Sequence, residues 1–508
     1  MKKDLKILFS AVIILSLLGV VSFFSNYFQG IRMARREAPN IATSHYSYFS
    51  QKDFYEHAYK QAENLATFIP QEYPKAILVN HHLLAGHFIA EAFNAVATIS
   101  PVTVIVISPN HFFAGKSAVI TSAANWQTPF GVLEADNKLI NQLTAKNLVD
   151  VEEQPFEQEH GISGIVAFIK KSLPNALVVP LILRDQMSVA KAMDLAGQIT
   201  SSLPQNTLLV GSFDFSHYLT HRAANFHDIS NLATVENFDY DAIPRLDTDS
   251  HSGLALFLKL LELNGRQKFH LLQHSNSAEV SRREETLETT SYVTGYFMKG
   301  ASTTNSPATL LALGSVDSSA TVIESLKRGS PTFSIKFLER LFIGQQTTTA
   351  FVGENNQLSA TLFNYGINQQ ISSNKIVELG NLKIAYLYAG GQAEARAAIL
   401  QGADLVIGNS KDIRLEQYRG KLIIYGLGNF LTSESLAQTT TSLALGMVYS
   451  NNQLQLYLFP IQFDKGVGKL LTAPVDGIVL KEIAKSFVTS AAIKRQIEQG
   501  VIIISGQK

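Results

Sequence analysis

Short apolar runs, separated by polar turns and helix-like stretches, recur along this chain. Each run is rich in Val, Ile or Leu, and most are followed by a polar segment long enough for a helix. In the first half the runs are Ala76–Val79, Val102–Ile107, Ala176–Leu183, Thr207–Gly211 and Tyr292–Met298. Buried strands that alternate with helices predict an α/β domain with a mostly parallel sheet and helices on both faces.

The same alternation continues in the second half, after a break of small polar residues at Lys299–Ala308. The alternating stretch Leu443–Phe463 predicts a hairpin, and the tail is predicted to be helical before the apolar run Val501–Ile504. Further strands are predicted at Thr309–Leu313, Lys383–Tyr388, Leu405–Ile407 and Leu422–Tyr425. The predicted organisation is an N-terminal segment 1–36, a connecting helical segment 37–75, a first domain 76–300, a linker 301–308, a second α/β domain 309–475 and a tail 476–508.

The N-terminal segment has the pattern of a membrane anchor or a secretion signal. Three lysines precede the apolar run Ile7–Phe24, whose 18 residues would span roughly 27 Å as a helix, close to the ~30 Å hydrocarbon core of a bilayer. The run ends without a small-x-small cleavage site, which favours an uncleaved anchor, although a cleaved signal remains the alternative. We therefore expect a single-pass protein of the bacterial cell membrane, with most of the chain extracytoplasmic.

Composition excludes several classes of function. Among 508 residues, 46% are hydrophobic, and 42 basic side chains balance 42 acidic ones. A net charge of zero argues against nucleic-acid binding, which requires a basic surface. The absence of Cys removes disulfides, zinc–thiolate sites and Cys nucleophiles. We expect a small-molecule or polymer substrate, and composition leaves the oligomeric state open.

All thirteen histidines lie between His45 and His274. Three predicted strands run directly into histidines, at His81, His111 and His217. In open α/β sheets, functional side chains gather just beyond the carboxyl ends of the strands. Imidazole is both the usual metal ligand and the usual acid–base group near neutral pH. The sequence therefore predicts a metal or acid–base site at one edge of the first sheet.

The motifs around these histidines resemble those of a known family. The segments SPNHFFAGKSAVITSAANWQTPFG, EQEHGISG, VVPLILRDQ and GSFDFSHY occur in the order found in the Memo family, which includes AmmeMemoRadiSam system protein B. The resemblance covers about Ala76 to Gly300. It implies a fold similar to that of the class III extradiol dioxygenases, which hold non-haem iron at the end of an α/β sheet.

The resemblance also implies a ligand set. His81 and His111 match two metal-ligand positions of the family, whereas its third ligand is usually a Cys, which this chain lacks. The matching stretch is Asp247–Gly253, where Asp249 is the predicted third ligand and His251 the alternative. Two histidines and a carboxylate form the facial triad typical of Fe(II). Fe(II) is therefore the favoured cofactor, with Cu or Zn as alternatives, and no organic cofactor is predicted.

Further residues are expected to act in catalysis around the metal. His160, Asp214 and His217 match family motifs and are predicted acid–base groups. Asp214 has an alternative role as the cap of the following helix. Ser163 stands where the family motif ends in Glu, so one acidic function is missing.

The second domain resembles CapA-type capsule-synthesis proteins, which belong to the metallophosphatase class. The likeness rests on LLALGSVDSS and on GADLVIGNSKDIRLEQYRGKLIIYGLGNFL, and it covers about Thr309 to Phe463. Where that family has metal-binding histidines, this chain has Asn409–Asp412, and Ser315 and Asp317 stand near its first Asp. We expect a reduced α/β domain that kept the fold and lost the metal.

Two functions follow from these observations. The first is a metal-dependent, dioxygenase-like oxidoreductase, favoured by the intact SPNH and FDFSHY motifs. The second is a non-catalytic envelope protein that binds or scaffolds a surface polymer such as capsule, favoured by the missing Cys, by Ser163 and by the altered second domain.

Overall fold

The computed structural model describes residues 44–63, 65, 74–97, 103–302, 307–316, 349–352, 369–371, 373–431, 439–464, 467–487 and 490–505. His45–Lys508 form one compact unit. The apolar run Ile7–Phe24, predicted as an anchor, lies outside the described residues. Among those described, no helix is both long and apolar enough to cross a membrane.

The first half is built from short strands and helices in alternation. Its strands are β1 (His45–Tyr46), β2 (Ala76–Val79), β3 (Thr103–Pro109), β4 (Val119–Thr121), β5 (Trp126–Thr128), β6 (Gly131–Leu133), β7 (Asp150–Val151), β8 (Leu177–Leu183), β9 (Thr207–Ser212), β10 (Phe215–Leu219), β11 (Lys268–Asn276) and β12 (Thr289–Met298). Its helices are α1 (Lys52–Ala62), α2 (Gly86–Asn94), α3 (Asn137–Ala145), α4 (His160–Ser163), α5 (Val166–Ser172), α6 (Val189–Thr200), α7 (His221–Asn237), α8 (His251–Leu263) and α9 (Ser277–Ser281).

The main sheet has the strand order β10-β12-β2-β9-β3-β8-β4-β7, with β11 paired to β12. Its centre, β2, β9, β3 and β8, is parallel, as predicted. The prediction of a mostly parallel sheet is wrong at the flanks, where β10, β11 and β4 join antiparallel neighbours. The connection from β11 to β12 contains only the short helix α9 and a turn, and such short connections return the chain antiparallel.

Both faces of this sheet are covered by helices. Successive residues of β2 point to opposite faces, so Ala76 and Leu78 join the hydrophobic cluster beneath α6 and α8, while Ile77 and Val79 join the cluster beneath α1, α2 and α5. All four side chains are fully buried. A continuous apolar strand is therefore what this position requires, and the sequence has one.

The second half contains two sheets and a few helices. Its strands are β13 (Ala308–Val316), β14 (Thr349–Val352), β15 (Gln369–Ile371), β16 (Lys375–Leu379), β17 (Leu382–Leu387), β18 (Leu405–Gly408), β19 (Arg414–Tyr418), β20 (Lys421–Gly426), β21 (Asn429–Leu431), β22 (Thr440–Ser450), β23 (Gln453–Asp464), β24 (Val467–Leu470) and β25 (Val501–Ser505). Its helices are α10 (Gln392–Leu400), α11 (Val475–Ser486) and α12 (Ala491–Gln499).

One sheet has the order β15-β14-β13-β22-β23-β24 with β21 and β25 attached, and the other has the order β16-β17-β18-β20-β19. A hydrophobic cluster contains side chains of both, among them Leu310 and Leu445 from the first sheet and Ile384 and Ile424 from the second. The predicted hairpin is confirmed, since β22 and β23 pair antiparallel across a turn at Asn451 and Asn452, both with positive φ.

The two halves share a core through helix α7. The ring of Phe226 lies 5.4 Å from that of Tyr457 and 5.5 Å from that of Phe459. A Cβ at Gly446 would lie 2.8 Å from the Phe226 ring, so this close approach requires glycine. Arg222 Nη1 also pairs with Asp476 Oδ2 at 3.0 Å. The predicted division at 301–308 stays a prediction, and part of that segment lies outside the described residues.

Candidate metal centre

Three neighbouring strands deliver polar side chains to one edge of the main sheet. The chain leaves β2 into His81, leaves β9 into Asp214 and leaves β3 into His111. Because β9 lies between β2 and β3 and all three are parallel, their carboxyl ends coincide. Two further elements complete the edge: Asp249 precedes α8, and His160 begins α4.

The side chains of these residues converge. Nε2 of His81 lies 3.3 Å from Oδ2 of Asp249, and Nε2 of His111 lies 3.7 Å from the same oxygen. Nε2 of His81 is also 3.5 Å from Oδ2 of Asp214. The His160 ring stacks on that of His111 with centroids 3.9 Å apart. We call these five residues the metal cluster.

Within the metal cluster, two sets of potential ligands are compact enough to hold an ion. In each set the ligand atoms lie within 4.8 Å of one another; the sets are His81, His111 and His160, and His81, Asp214 and Asp249. The three residues predicted as ligands, His81, His111 and Asp249, are divided between these sets, but the Nε2 atoms of both histidines lie within 3.7 Å of Oδ2 of Asp249. His160 and Asp214, predicted as acid–base groups, lie in ligand positions as well.

Outer partners fix the orientation of the two predicted imidazole ligands. Nδ1 of His111 lies 2.6 Å from Oε1 of Glu159, and the backbone N–H of His111 donates to the other carboxylate oxygen at 2.9 Å. Nδ1 of His81 lies 3.2 Å from the hydroxyl of Ser212. Each ring therefore directs Nε2 towards the centre of the cluster. Sequence reasoning missed Glu159, although its place beside His160 in EQEH was a usable signal.

Helix α4 lies close to the end of β3, and this approach depends on glycine. A Cβ at Gly161 would lie 2.0 Å from Oγ of Ser108. Any larger residue would push His160 and Glu159, which directly precede this position, away from the cluster. Glu159 also caps α4, since its carboxylate accepts from the Gly161 N–H at 2.8 Å.

Burial and neighbouring charges set opposite protonation tendencies within the cluster. Burial lowers the pKa of His81 well below its usual value, and positive charge on the neighbouring histidines lowers it further. Burial and the charge of Asp249 raise the pKa of Asp214 well above its usual value. Burial also lowers the pKa of His160. Burial alone would lower the pKa of His111, but hydrogen bonds to Asp249 and Glu159 raise it to about 10.

One buried atom indicates that the cluster fits a cation. Oδ1 of Asp249 is buried and has no hydrogen-bond partner among the described residues. An unpaired buried carboxylate oxygen is costly, and a bound cation removes this cost. Burial lowers the pKa of His81 and His160 and so favours the uncharged imidazole, the form of histidine that binds metals. His111, whose pKa is raised by Asp249 and Glu159, would release its proton when a cation binds. The donor set is therefore suited to a divalent ion.

Two of the predicted alternatives have other contacts in the structure. His251, the alternative third ligand, has its ring nitrogens 3.0 Å from Asp185 Oδ1 and 3.0 Å from the Leu246 carbonyl, and it belongs to neither ligand set. Asp214 does not cap the next helix, because the cap of α7 is Thr220, whose side chain accepts from Ala223 N–H. Asp214 instead accepts from His81 N–H at 3.1 Å.

His217 lies in β10 beside the cluster rather than in either ligand set. Burial lowers the pKa of both His81 and His82, and positive charge on His217 lowers them further. The residues on either side, Ser216 and Tyr218, have positive φ angles of 34° and 57°. Such a conformation is unusual for residues other than glycine, and it is characteristic of functional sites.

A second group of polar side chains, which we call the support cluster, underlies this strained segment. Asp228 accepts a hydrogen bond from Ser216 Oγ at 2.6 Å and lies 2.8 Å from His274 Nε2. Asn231 donates to Asp228 at 3.0 Å, and Asp247 accepts from the His217 N–H at 3.3 Å. These bonds hold the backbone that carries His217. Sequence reasoning missed this cluster, because its members come from several separate elements of the chain.

The corresponding strand end in the second half has a different composition. Asn409–Asp412 follow β18, and there the Asp412 N–H bonds the Ser410 hydroxyl at 3.1 Å. Within the described part of the chain, both potential metal-ligand sets lie in the first half. Asp317 falls outside the described residues.

Comparison with known proteins agrees with the motifs of the first half. A family model described as Memo-like protein matches residues 39–296, which include most of the segment 37–75 predicted as a connection. A MEMO1 family protein of Caldivirga maquilingensis is 28% identical over 248 residues, covering 45% of this chain and 85% of the relative. One from Nitrosopumilus maritimus is 23% identical, covering 42% of this chain and 79% of the relative.

A solved structure, Vps29 of Chaetomium thermophilum bound to a cyclic peptide, matches with a TM-score of 0.24 and 14% identity. The match covers 33% of this chain and 94% of that chain. A TM-score of this size does not show a shared fold.

Proposed function

Because this chain belongs to the Memo-like protein family, we propose that its first half binds one divalent metal ion, with Fe(II) favoured over Cu and Zn, through His81, His111 and Asp249. The observation that carries the proposal is the shared focus of the two Nε2 atoms on Asp249 Oδ2, at 3.3 and 3.7 Å, beside the unpaired Oδ1 of the same carboxylate.

The chemistry of the donors supports Fe(II). Two imidazoles and one carboxylate on one side of an Fe(II) ion leave coordination positions open for a substrate. His160, stacked on His111, is a further donor if the ion takes a fourth protein ligand. Asp214, whose raised pKa favours the protonated form, is able to donate a proton within the site. His217, in β10, is a second candidate acid–base group.

From this arrangement we propose a metal-dependent oxidoreductase activity of the dioxygenase type. The strained segment Ser216–Tyr218 beside the cluster supports a catalytic role, since such strain is rarely kept without function. The alternative is a non-catalytic envelope protein, which Ser163 favours because the family's acidic residue is missing there. Metal-dependent oxygen uptake would favour the enzyme, and bound metal without turnover would favour the binding protein.

For residues 309–475 we propose a CapA-like domain that has lost its metal and serves in binding or scaffolding. Lys411 supports this view, because a cation in the loop after β18 opposes metal binding. We also propose that residues 1–36 anchor the protein in the cell membrane with the remainder outside the cytoplasm. The same proposal includes binding partners of this protein that are linked to surface polymers.

Elemental analysis tests the metal assignment. The full chain should be purified without a metal-binding tag and reconstituted anaerobically with Fe(II), and we expect about one ion per chain. His111→Ala should lose the ion, whereas His57→Ala, which removes an exposed histidine on α1, should keep it. A wild-type protein that stays metal-free would show the assignment to be wrong. Two ions per chain, one of which persists in His111→Ala, would contradict the proposed loss of metal in the second half.

A further inference from the structure

We propose that a cavity beside the metal cluster binds a small molecule with an uncharged, apolar ring body and a single polar end. This inference rests on the proposed function, since the polar end would face the bound ion. The cavity has a volume of about 380 Å³, near the lower limit of the roughly 300–1,000 Å³ typical of ligand sites. The ligand should therefore be small.

The wall of the cavity is apolar. Tyr48 and Phe49 line it from the segment before α1, and Phe54 lines it from the first turn of α1. Leu83 and Leu84 line it from the turn after β2. The rings of Phe49 and Phe54 lie 4.6 Å apart at an angle of 54°. Aromatic rings in tilted arrangements offer both faces and edges to a further ring. A planar apolar body suits this wall better than a sugar or a peptide backbone.

The floor of the cavity is the edge of the metal cluster itself. His81 and His160 line the cavity together with His82, whose Nδ1 is held 2.6 Å from the Tyr292 hydroxyl. Among the described residues that line the cavity there is neither Lys nor Arg. Phosphate and sulfate groups are recognised mainly by these two side chains, so a polyanion is a poor fit. One polar end, directed at the floor, is what the lining accommodates.

The aromatic wall is held in place by its own hydrogen bonds. The Tyr48 N–H donates to the Ser163 carbonyl at 2.9 Å, and the Ser47 hydroxyl donates to the Phe49 carbonyl at 2.8 Å. The Tyr55 hydroxyl lies 3.3 Å from that same carbonyl. A wall that is already ordered binds a rigid ring at little entropic cost.

The mouth of the cavity exposes large apolar side chains. Of the lining residues, Tyr48 is 57% exposed and Leu84 45%. Phe112 does not line the cavity, but it is 52% exposed and its ring lies 6.1 Å from that of His160, which does. Apolar side chains grouped at the rim of a cavity are costly in water unless they meet a ligand or partner. Their position beside both the wall and the metal cluster is consistent with capture of an apolar molecule.

Binding of 2-naphthol to the full-length, Fe(II)-loaded protein tests the inference. Titration by calorimetry or by the fluorescence of the naphthol should show saturable 1:1 binding. Naphthalene-2,6-disulfonate, which has the same ring body and two negative charges, should bind at least about tenfold more weakly. Equal or tighter binding of the disulfonate, or no binding of 2-naphthol, would overturn the inference.

Two matched variants locate the binding. Leu84→Asp places a charge in the wall and should weaken 2-naphthol binding about tenfold or more, while metal content stays at the wild-type value. Leu287→Asp places the same charge on an exposed leucine that does not line the cavity, and it should bind as wild type does. Unchanged binding in Leu84→Asp would contradict the assignment.

Metal content, measured on each preparation, separates this inference from the proposed function. Protein that holds Fe(II) but does not bind 2-naphthol would refute the apolar-ring ligand and leave the metal site intact. Protein that holds no metal would refute the metal site, and saturable 2-naphthol binding that is lost in Leu84→Asp would still support the cavity.

Discussion

The metal cluster and the support cluster contain the same kinds of residue, yet their environments differ. In the support cluster, Asp228 meets Ser216, Asn231 and His274, so its carboxylate is satisfied by protein groups. In the metal cluster, Oδ1 of Asp249 has no hydrogen-bond partner among the described residues, and the site adjoins a cavity. Histidines and carboxylates alone therefore do not define a metal site. The difference lies in the central carboxylate: both oxygens of Asp228 have protein partners, whereas Oδ1 of Asp249 has none among the described residues.

Removing the carboxylate of each cluster in turn is the strongest test of this contrast. Asp249→Ala should weaken metal binding about 100-fold or more, equivalent to roughly 3 kcal/mol, since loss of even an outer partner costs about 10–100-fold. Competitive titration against a chelator measures the affinity. Wild-type affinity in this variant would remove Asp249 from the ligand set.

Asp228→Ala should lower the stability of the fold and leave the metal content unchanged. The variant leaves the buried donors of Ser216 and Asn231 without their acceptor, at a cost of about 2 kcal/mol in the free energy of unfolding. Denaturant unfolding followed by circular dichroism measures this loss, and elemental analysis should still find the ion. A stable Asp228→Ala protein that has lost its metal would reverse the roles of the two clusters.

Glu159→Gln tests whether the orientation of His111 matters for the ion. The amide keeps the size of the side chain but loses the charge that faces His111 Nδ1 at 2.6 Å, so metal affinity should fall about tenfold. The same chelator competition measures it. The matched control is Glu262→Gln on α8, where the carboxylate pairs with Lys259 away from the cluster, and its metal affinity should be that of wild type.

The pH dependence of the support cluster gives the smallest expected effect. Burial acts to lower the pKa of His274, but its hydrogen bond to Asp228 raises that pKa above the usual value. The charged pair therefore stabilises the fold fully below the unfolded pKa of about 6.5, and this contribution is lost as pH rises through the folded value. His274→Gln should lower the free energy of unfolding by about 1 kcal/mol more at pH 6 than at pH 9. Denaturant unfolding of wild type and variant at both pH values measures this difference. A difference that grows with pH would contradict the assigned pairing.

The sequence by itself indicated many of the strands and predicted where the candidate metal site lies. Apolar runs such as Ala76–Val79 and the alternating stretch Leu443–Phe463 identified strands. A strand buried on both faces is apolar throughout, and one buried on a single face alternates apolar and polar residues. The strand-end positions of His81 and His111 indicated the site, since parallel strands end at the same edge. The motifs of the first half identified the family.

Only the tertiary structure determined which side chains contact one another. Glu159 on His111, Ser212 on His81 and Asp228 on His274 are contacts between residues far apart in the chain or in different elements, and no local pattern records them. The same holds for the antiparallel flanks of the main sheet, for the packing of Phe226 against β23, and for the cavity formed by Tyr48, Phe49 and Phe54 beside the metal cluster. Local sequence determines which face of an element is apolar, but only the folded chain determines what meets that face and which buried polar atom is left for a ligand.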